Sequence, residues 1–531
     1  MSERSERLFE ALSKIDEGKI NEAAPTESKK QFHWKRWGAL AAALVLVVGL
    51  GAGVLSGRLP WLRIGGNNAG SGHKNDSSTF MSYAGPVFPL TTAEGGGNLT
   101  AQREITYDFQ DWMAGNFDPP YYGLPVTDSY TLTNPTGEDK DVTLLYPFVT
   151  SLYGLRRYSP TLTLNGAKLD TELLAGLYSN IGNGHSGGLH SMTDPDSWEE
   201  YRDLLSDGRY QAGALEDWPD LSGIPVTVYE ITNSWVAEGT QGTNPTIHAV
   251  FSLDYGKTTL LSSGFYGGNF DREGGTMRQS FSAPTPPAND SSENQEFYEK
   301  ERSEIHYLIV VGEPIGDLQL FGTYDGDPKS ADYMEWNTEI GADLRQYDTD
   351  LESVLRTVAE EMLGGVHWAS RSGVVDDEDR PDFELYFGLM KDCLLDTGVL
   401  SRNSEDSYDM YWLEDMTFEL IKRVYYLTAQ ITIPAGGSVT VEARFLKEAS
   451  FDFACTSTQD KDVYGYDMVT KLGTNLNFTA QAAVLEDYEQ IEIVRQNFGF
   501  DLENGVSKVT LDPDQEHYYL EVQGRKVQSE K

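Results

Sequence analysis

The strongest hydrophobic pattern in the chain is an uncharged apolar run that extends from Trp37 to Ser56. At the rise of an α-helix, such a run spans about 30 Å, the thickness of the hydrocarbon core of a bilayer. Basic residues precede it closely, namely Lys29, Lys30, Lys35 and Arg36. Because basic flanks stay in the cytoplasm, the pattern predicts a transmembrane helix over 37–57, a cytoplasmic segment 1–36 and an extracellular remainder.

A cleaved signal peptide is the alternative interpretation of the same run. We favour an uncleaved anchor, because the region before the run is long and the run exceeds the about 7–15 apolar residues of a signal peptide. No second run of spanning length follows, which predicts a single-pass protein of the cell membrane. Gly49, Gly53 and Gly57 recur every four residues, a small-xxx-small pattern that favours a homodimer through the membrane helix. The ordinary glycine content of membrane helices explains the pattern equally.

A short amphipathic pattern precedes the membrane run. Leu8, Phe9, Leu12 and Ile15 share one face of a predicted helix that ends near Gly18. A helix of about three turns is marginal alone in water, so it needs a partner or a membrane surface. We therefore predict that these four residues contact a cytoplasmic regulatory protein. A frayed tail with a chance apolar stripe is the alternative.

After a Gly/Asn/Ser-rich tether at 58–79, short alternating segments predict a β-rich extracellular domain at 80–281. The Asn134–Gly137 turn separates two strands, and Asn165-Gly166 is a strong hairpin signal. One short helix is predicted from Trp198 to Leu205. Extended strands joined by Gly/Pro turns favour a two-sheet sandwich.

Residues 282–298 are poor in apolar side chains and predict a linker or a long loop. A second β-rich domain then occupies 299–531, with a helical insertion at about 349–423. Two helices there are indicated by apolar stripes starting at Leu351 and Phe383, and a third is predicted over Tyr408–Arg423. The segments 131–148 and 429–445 share a strand, a Pro/Gly turn and a strand, which indicates two sandwich-like units. The predicted fold is therefore mainly β with a helical insertion.

The predicted extracellular part is strongly acidic. The chain carries 83 acidic and 41 basic residues, and 76 of the acidic residues follow Ile64. Such an acidic surface is repelled by nucleic acid, so a nucleic-acid partner is excluded. Solubility is the simple explanation, and binding of a divalent cation or a basic partner is the alternative. Cys393 and Cys455 are the two cysteines, and the sequence leaves open whether they pair.

Sequence motifs for catalysis are weak. Ser186 lies in a G-x-S-x-G match, but neither a buried strand before it nor a helix after it is predicted, so a glycine-rich loop is favoured. His185 and His190, with Asp194 and Asp196 nearby, lack a usual metal-ligand spacing. We therefore predict no catalytic, cofactor-binding or metal-binding residue, and an enzyme is the less favoured class.

Acidic clusters and exposed aromatic residues remain as candidates for binding. A weak surface calcium site in the acidic loops is one alternative, but no loop matches the EF-hand pattern and solvated loops are favoured. These loops contain Asp325, Asp327 and Asp332, then Asp376, Asp377, Glu378, Asp379 and Asp382, then Asp460 and Asp462. Trp112, Tyr121 and Tyr122 could stack on sugars, but core packing is the commoner use of such residues. No carboxylate pair for glycoside cleavage can be selected.

The segment LFEALSKIDEGKINEA, followed by one membrane helix and a β-rich outer part, resembles membrane-anchored anti-sigma-factor-like regulators of Gram-positive bacteria. The resemblance covers about residues 5–57 and is architectural. It implies that the cytoplasmic part holds a sigma factor and that the outer part senses the envelope. The zinc-binding His/Cys cluster of some such regulators is absent before the membrane run, and 36 residues are few for a folded sigma-binding domain. The outer part resembles uncharacterised Gram-positive surface proteins, which implies no activity.

Three functions follow from these patterns. The leading one is a single-pass anchored protein that binds or senses an envelope ligand and signals through its cytoplasmic segment. The first alternative is an anchored hydrolase of envelope polymers or glycans. The second is a structural or adhesive envelope protein.

Overall fold

The computed structural model describes residues between 85 and 525. Segments inside this range lie outside the described residues, namely 95, 111, 113–122, 180–197, 207, 239–242, 255, 272–274, 288–291, 326–338, 365–379, 397–399, 401–410, 417 and 453–462. The predicted cytoplasmic helix, membrane helix and tether also lie outside them. Among the described residues, no helix is long and apolar enough to cross a membrane.

The described chain is mainly β, as the alternating patterns predict. Its strands are β1 Thr91–Glu94, β2 Thr100–Asp108, β3 Leu124–Thr133, β4 Lys140–Thr150, β5 Thr161–Leu164, β6 Ala167–Lys168, β7 Glu172–Tyr178, β8 Pro225–Val236, β9 Thr243–Ser252, β10 Thr258–Ser263, β11 Gly267–Asp271, β12 Thr276–Ser282, β13 His306–Gly312, β14 Gly316–Asp325, β15 Ile340–Asp350, β16 Tyr411–Trp412, β17 Arg423–Ile433, β18 Ser438–Lys447, β19 Phe451–Asp452, β20 Tyr464–Val469, β21 Asn477–Glu486, β22 Ile491–Gln496, β23 Lys508–Thr510 and β24 His517–Gly524.

Helices are fewer in the described range. They are α1 Leu155–Tyr158, α2 Trp198–Ser206, α3 Arg209–Ala214, α4 Ser292–Ser303, α5 Leu351–Gly364 and α6 Phe383–Asp396. Short 3₁₀ helices cover Leu413–Asp415 and Tyr488–Gln490. The predicted short helix at Trp198 and the two helices starting at Leu351 and Phe383 are confirmed.

The first sandwich places a seven-stranded sheet against two four-stranded sheets. The seven-stranded sheet has the order β23-β21-β2-β3-β18-β5-β6, and the facing sheets have the orders β1-β4-β17-β7 and β19-β20-β24-β22. Alternate residues of β3 are buried, including Tyr130 and Leu132, because one strand face points into the core. The cores between these sheets contain side chains such as Tyr146 and Tyr425 on one side and Tyr107 and Leu520 on the other.

The second sandwich packs the sheet β15-β8-β13-β10-β16 against the sheet β11-β12-β9-β14. The other face of the first of these sheets is covered by α5 and α6, whose apolar stripes include Leu355 and Phe387. The third predicted helix, over Tyr408–Arg423, is wrong in its described part. There Tyr411 and Trp412 pair in parallel with β10, and β17 begins at Arg423, because sheet pairing overrides the local pattern.

The whole second sandwich is inserted between two paired strands of the first. Tyr178 of β7 is paired with Arg423 of β17, and the Ser179 amide donates to the Lys422 carbonyl at 3.0 Å. After β7, α2 and α3 still pack on the first sandwich, and the chain leaves it after α3 and returns beside β7 as β17. Strands on both sides of the expected 282–298 linker share sheets, since β8 pairs with β13, and α4 occupies part of that range. The insertion therefore extends well beyond the expected helices.

The two turns selected from the sequence differ in their roles. Asn165 and Gly166 adopt φ of 50° and 83° between β5 and β6, which confirms the predicted hairpin. At Asn134–Gly137 the flanking strands form as predicted, but β3 and β4 join opposite sheets. The Asn134 side chain donates to the Ile433 carbonyl at 3.1 Å, which connects this turn to the end of β17.

The similar segments 131–148 and 429–445 form two adjacent arches of one sandwich. β4 pairs with β17 and β3 pairs with β18, so the arches lie side by side and antiparallel. The turns also meet directly, since the Asn134 amide donates to the Gly437 carbonyl at 3.0 Å and the Gly436 amide to the Thr136 carbonyl at 2.8 Å. Each arch supplies one strand to each of the two facing sheets. The two similar segments therefore belong to one sandwich and not to two separate sandwich-like units.

Candidate functional site

A cavity of about 190 Å³ lies between the α2–α3 pair and the outer face of the β4–β17 sheet. We call it the α2–α3 cavity. Its apolar floor consists of Phe88, Pro147, Leu205, Tyr210, Val424 and Tyr426, and its polar rim consists of Ser206, Gly208, Gln211, Gly473, Thr474 and Asn475. An apolar interior with a few polar groups at its mouth is the usual composition of a ligand site.

Strand alternation along β17 produces the floor. Val424 and Tyr426 point to the outer face and are 1% and 3% exposed, whereas Tyr425 points into the sandwich core. The outer face is covered by α2 and α3, which contribute Leu205 and Tyr210 to the same cluster. The helices therefore bury most of this face and leave the cavity at its end.

Contacts with β24 and β20 hold α2 in position. The rings of Trp198 and His517 stack with centroids 4.1 Å apart and planes 13° apart. His517 also contacts Asp467 through Nε2 and Oδ2 at 3.1 Å, and Arg202 forms an ion pair with Glu516. These contacts fix the helix that forms one wall of the cavity.

Most hydroxyl hydrogens at the cavity are already donated to backbone carbonyls. The hydroxyl of Ser206 donates to the Arg202 carbonyl at 2.7 Å and that of Thr474 to the Leu90 carbonyl at 2.6 Å. The Gln211 amide nitrogen donates to the Thr92 carbonyl at 3.2 Å, and its Oε1 accepts no bond from any described residue. Ser206 Oγ and Gln211 Oε1 therefore remain as acceptors, whereas Thr474 Oγ1 already accepts from the Leu476 amide at 3.2 Å.

Tyr426 differs from the other floor residues, because its hydroxyl makes no hydrogen bond with the described residues although the side chain is buried. Burial, followed by the neighbouring Tyr210, raises the pKa of Tyr426 above its ordinary value. The phenol is therefore neutral at physiological pH. The twelve lining residues include no Asp, Glu, Lys, Arg or His.

Carboxylates and tyrosines meet at a second place, on the helix-bearing face of the β8–β13 sheet. Glu230 of β8 accepts a hydrogen bond from Tyr347 at 2.7 Å and forms an ion pair with Arg345 at 3.3 Å. Tyr307, paired with Glu230 across the sheet, donates to Glu361 of α5 at 2.9 Å. We call these five residues the Glu230 cluster.

The carboxyl of Glu361 differs in its environment from that of Glu230. Desolvation is the main cause that raises the pKa of Glu361, the hydrogen bond from Tyr307 opposes it, and the Glu230 charge adds to it. The Glu361 side chain is exposed to solvent, which screens these interactions. A carboxyl with a raised pKa beside a second, hydrogen-bonded carboxylate is an arrangement used for acid–base chemistry.

The buried Arg103–Asp128 pair is a structural contact rather than an accessible site. Arg103 Nε and Nη2 donate to the two Asp128 oxygens at 2.8 and 2.9 Å, and both side chains are 0% exposed. Tyr130 and Tyr146 donate to the same carboxylate at 2.5 and 3.1 Å. The pair joins the seven-stranded sheet to the facing layer through the Val469 carbonyl at 2.7 Å.

Most residues selected from the sequence lie outside the described part of the chain. These are Leu8, Phe9, Leu12, Ile15, Gly49, Gly53, Gly57, Tyr121, Tyr122, His185, Ser186, His190, Asp194, Asp196, Asp327, Asp332, Asp376, Asp377, Glu378, Asp379, Cys455, Asp460 and Asp462. The predictions for them stay predictions, and whether Cys455 pairs with the buried Cys393 stays open. Among the described residues, no group of three or more His, Cys, Asp or Glu side chains is arranged to hold a metal ion.

Four selected residues are described. Asp325 ends β14 and Cys393 is buried, whereas Trp112 and Asp382 have clear structural contacts. Trp112 is 4% exposed and donates from Nε1 to the Tyr466 hydroxyl at 2.9 Å, which is the core role favoured from the sequence. Asp382 accepts a hydrogen bond from the Leu385 amide at 3.1 Å and caps α6. The α2–α3 cavity was not found from the sequence, because its floor residues have the same alternation as core residues.

Comparison of the chain with protein-family models, with curated proteins and with solved structures gives no match. The function is therefore argued from the fold and the two sites alone.

Proposed function

We propose that the chain is a membrane-anchored protein whose outer part binds or senses a small envelope ligand. The observation that supports this best is the α2–α3 cavity, which combines an apolar floor with a polar rim where Ser206 Oγ and Gln211 Oε1 are unused acceptors. Its volume of about 190 Å³ suits a ligand smaller than a typical drug. The cavity lies on β17, the strand by which the inserted sandwich returns to the first one.

The anchor and the signalling role belong to this proposal and rest on the sequence. The apolar run at 37–57 supports attachment to the cell membrane, with residues 1–36 in the cytoplasm. The stripe of Leu8, Phe9, Leu12 and Ile15 supports a contact with a cytoplasmic regulator, in the manner of anti-sigma-like proteins. A homodimer through Gly49, Gly53 and Gly57 would bring two such stripes together.

Affinity capture from membranes tests the signalling part. The full-length protein is compared with a form that lacks residues 2–28 and with the double variant Phe9→Ser/Leu12→Ser. The proposal predicts a regulatory protein that is recovered with the full-length chain only. Equal recovery with all three forms contradicts it, and an idle tail then favours the structural or adhesive alternative.

A specific observation favours one alternative, hydrolysis of envelope glycans. The Glu230 cluster offers Glu361, with its raised pKa, as a proton donor and Glu230, held by Arg345 and Tyr347, as a base or nucleophile. This candidate predicts release of reducing sugar ends from isolated cell walls. Glu361→Gln should abolish the release, and Glu313→Gln, which removes a surface carboxylate paired with Lys257, should not. No release by the unaltered protein excludes this alternative.

A further inference from the structure

We propose that the α2–α3 cavity receives an uncharged, hydroxyl-bearing sugar ring, an inference that rests on the binding function proposed above. The first argument is charge. The chain has 83 acidic and 41 basic residues, yet none of these types is among the twelve described lining residues. An ionic ligand would lose its hydration there without gaining an opposite charge, which is costly.

The second argument is the direction of the available hydrogen bonds. The hydroxyls of Ser206, Thr474 and Tyr210 all donate to backbone carbonyls, and the Gln211 amide nitrogen donates to the Thr92 carbonyl. Thr474 Oγ1 also accepts from the Leu476 amide at 3.2 Å, so Ser206 Oγ and Gln211 Oε1 are the acceptors to which a complementary ligand donates. Sugar hydroxyls are donors, and they can also accept from the Tyr426 hydroxyl, which has no partner in the described structure.

The third argument is that the volume and the lining of the cavity match those of a sugar ring. Since a water molecule takes about 30 Å³ of liquid, the cavity of about 190 Å³ has the room of about six waters. This is the space of one pyranose unit. The apolar C–H face of such a ring suits a floor of Phe88, Pro147 and Tyr426, whereas its hydroxyl edge suits the rim.

Saturation-transfer NMR with the full-length protein in detergent micelles tests the inference. The probes share one ring and differ in charge, namely N-acetylglucosamine and methyl glucoside as neutral sugars, glucuronic acid as an anion and glucosamine as a cation. Ser206→Trp closes the exposed rim at the end of α2. Ser303→Trp is the matched control, because Ser303 also ends an exposed helix and donates to a carbonyl of its own helix.

The inference predicts that a neutral probe binds the unaltered protein and Ser303→Trp, and that Ser206→Trp abolishes the signal. It also predicts that the charged probes bind at least tenfold more weakly. Gln211→Ala should weaken binding about fivefold, the effect of one neutral hydrogen bond.

Two results would overturn the inference in different ways. If a charged probe binds best and its signal depends on Ser206, the ligand class is wrong and the proposed binding function stands. If no probe gives a signal that depends on Ser206, both the sugar class and the cavity as ligand site fail. The sugar ring could be a free sugar or the end of a glycan chain, and a trisaccharide of N-acetylglucosamine distinguishes these two sources. Binding of the trisaccharide equal to that of the monosaccharide indicates a glycan end, whereas no binding of the trisaccharide indicates a free sugar.

Discussion

Burial controls the proton affinity of His306 in the second sandwich. Its ring stacks on Phe281 with centroids 3.7 Å apart, and Nδ1 lies 2.8 Å from the Gly264 carbonyl. Burial lowers the pKa of His306 to about 4, and the bond to Gly264 opposes this shift. The unfolded chain, by contrast, binds this proton near pH 6.5. The neutral ring therefore stabilises the fold above pH 6.5, and this contribution is lost as the pH falls toward 4.

We expect His306→Gln to flatten the decline in unfolding free energy between pH 6.5 and 4. The part of the decline caused by His306 is on the order of 3 kcal/mol. Glu414, which accepts from the Gly264 amide at 2.6 Å, is present in both proteins, so the difference between them isolates His306. Urea unfolding at several pH values measures it, and parallel pH profiles would contradict the assignment.

Gly388 is required by packing rather than by backbone conformation. A Cβ at this position of α6 would lie 2.3 Å from Cδ2 of the rigid Trp218 ring. Gly388→Ala should therefore destabilise the protein by about 1–3 kcal/mol, although alanine is the better helix former. Gly364→Ala in the last turn of α5 is the control, because its Cβ would meet only Arg380 at 3.9 Å. Equal midpoints in urea for the two variants would show that Trp218 does not limit this site.

At the scale of elements, α2 depends on its contact with β24 more than on its own sequence. Trp198→Ala removes the stack on His517, worth about 0.5–1.5 kcal/mol beyond the buried area. We expect hydrogen exchange of the α2 amides to accelerate up to about tenfold. Phe297→Ala on α4 is the control, because Phe297 is 60% exposed. Unchanged exchange in α2 after loss of Trp198 would mean that other contacts fix the cavity wall.

Among these elements, the sequence predicts those that depend on local signals and not those that depend on distant partners. Alternation and the Asn165-Gly166 turn are local signals, so the strands and that hairpin could be predicted. The partner of β4 could not, because β17 lies far along the chain and its pattern fits many neighbours. Val424 and Tyr426 have the periodicity of core residues, and only the position of α2 and α3 above them makes a cavity.

At the scale of the whole molecule, Arg423 joins the two sandwiches. This arginine of β17 is 1% exposed, contacts Asp392 of α6 at 2.6 Å and lies 3.8 Å above the Tyr178 ring. Arg423→Met should cost about 3–5 kcal/mol, since it leaves a half-buried carboxylate without its partner. Arg356→Met breaks an exposed pair with Glu384 and a cation–π contact with Phe387, and should cost only about 1–2 kcal/mol.

Denaturant unfolding compares these two arginine variants, and the double variant Arg423→Met/Asp392→Leu should recover part of the lost stability. Similar losses for Arg423→Met and Arg356→Met would show that the pair does not hold the insertion. A large loss of unfolding free energy in Arg423→Met, with a small one in Arg356→Met, would support a rigid junction between the two sandwiches beside β17.

The central claim is that the α2–α3 cavity is the ligand site of this protein. Hydrogen exchange with mass spectrometry, with and without N-acetylglucosamine, tests it most directly. The account predicts slower exchange in α2, α3 and the start of β17 on ligand addition, and no change in β8, β13 and α5 around Glu230. Protection around Glu230, with none in α2, α3 and β17, would contradict the account and favour the glycan hydrolase.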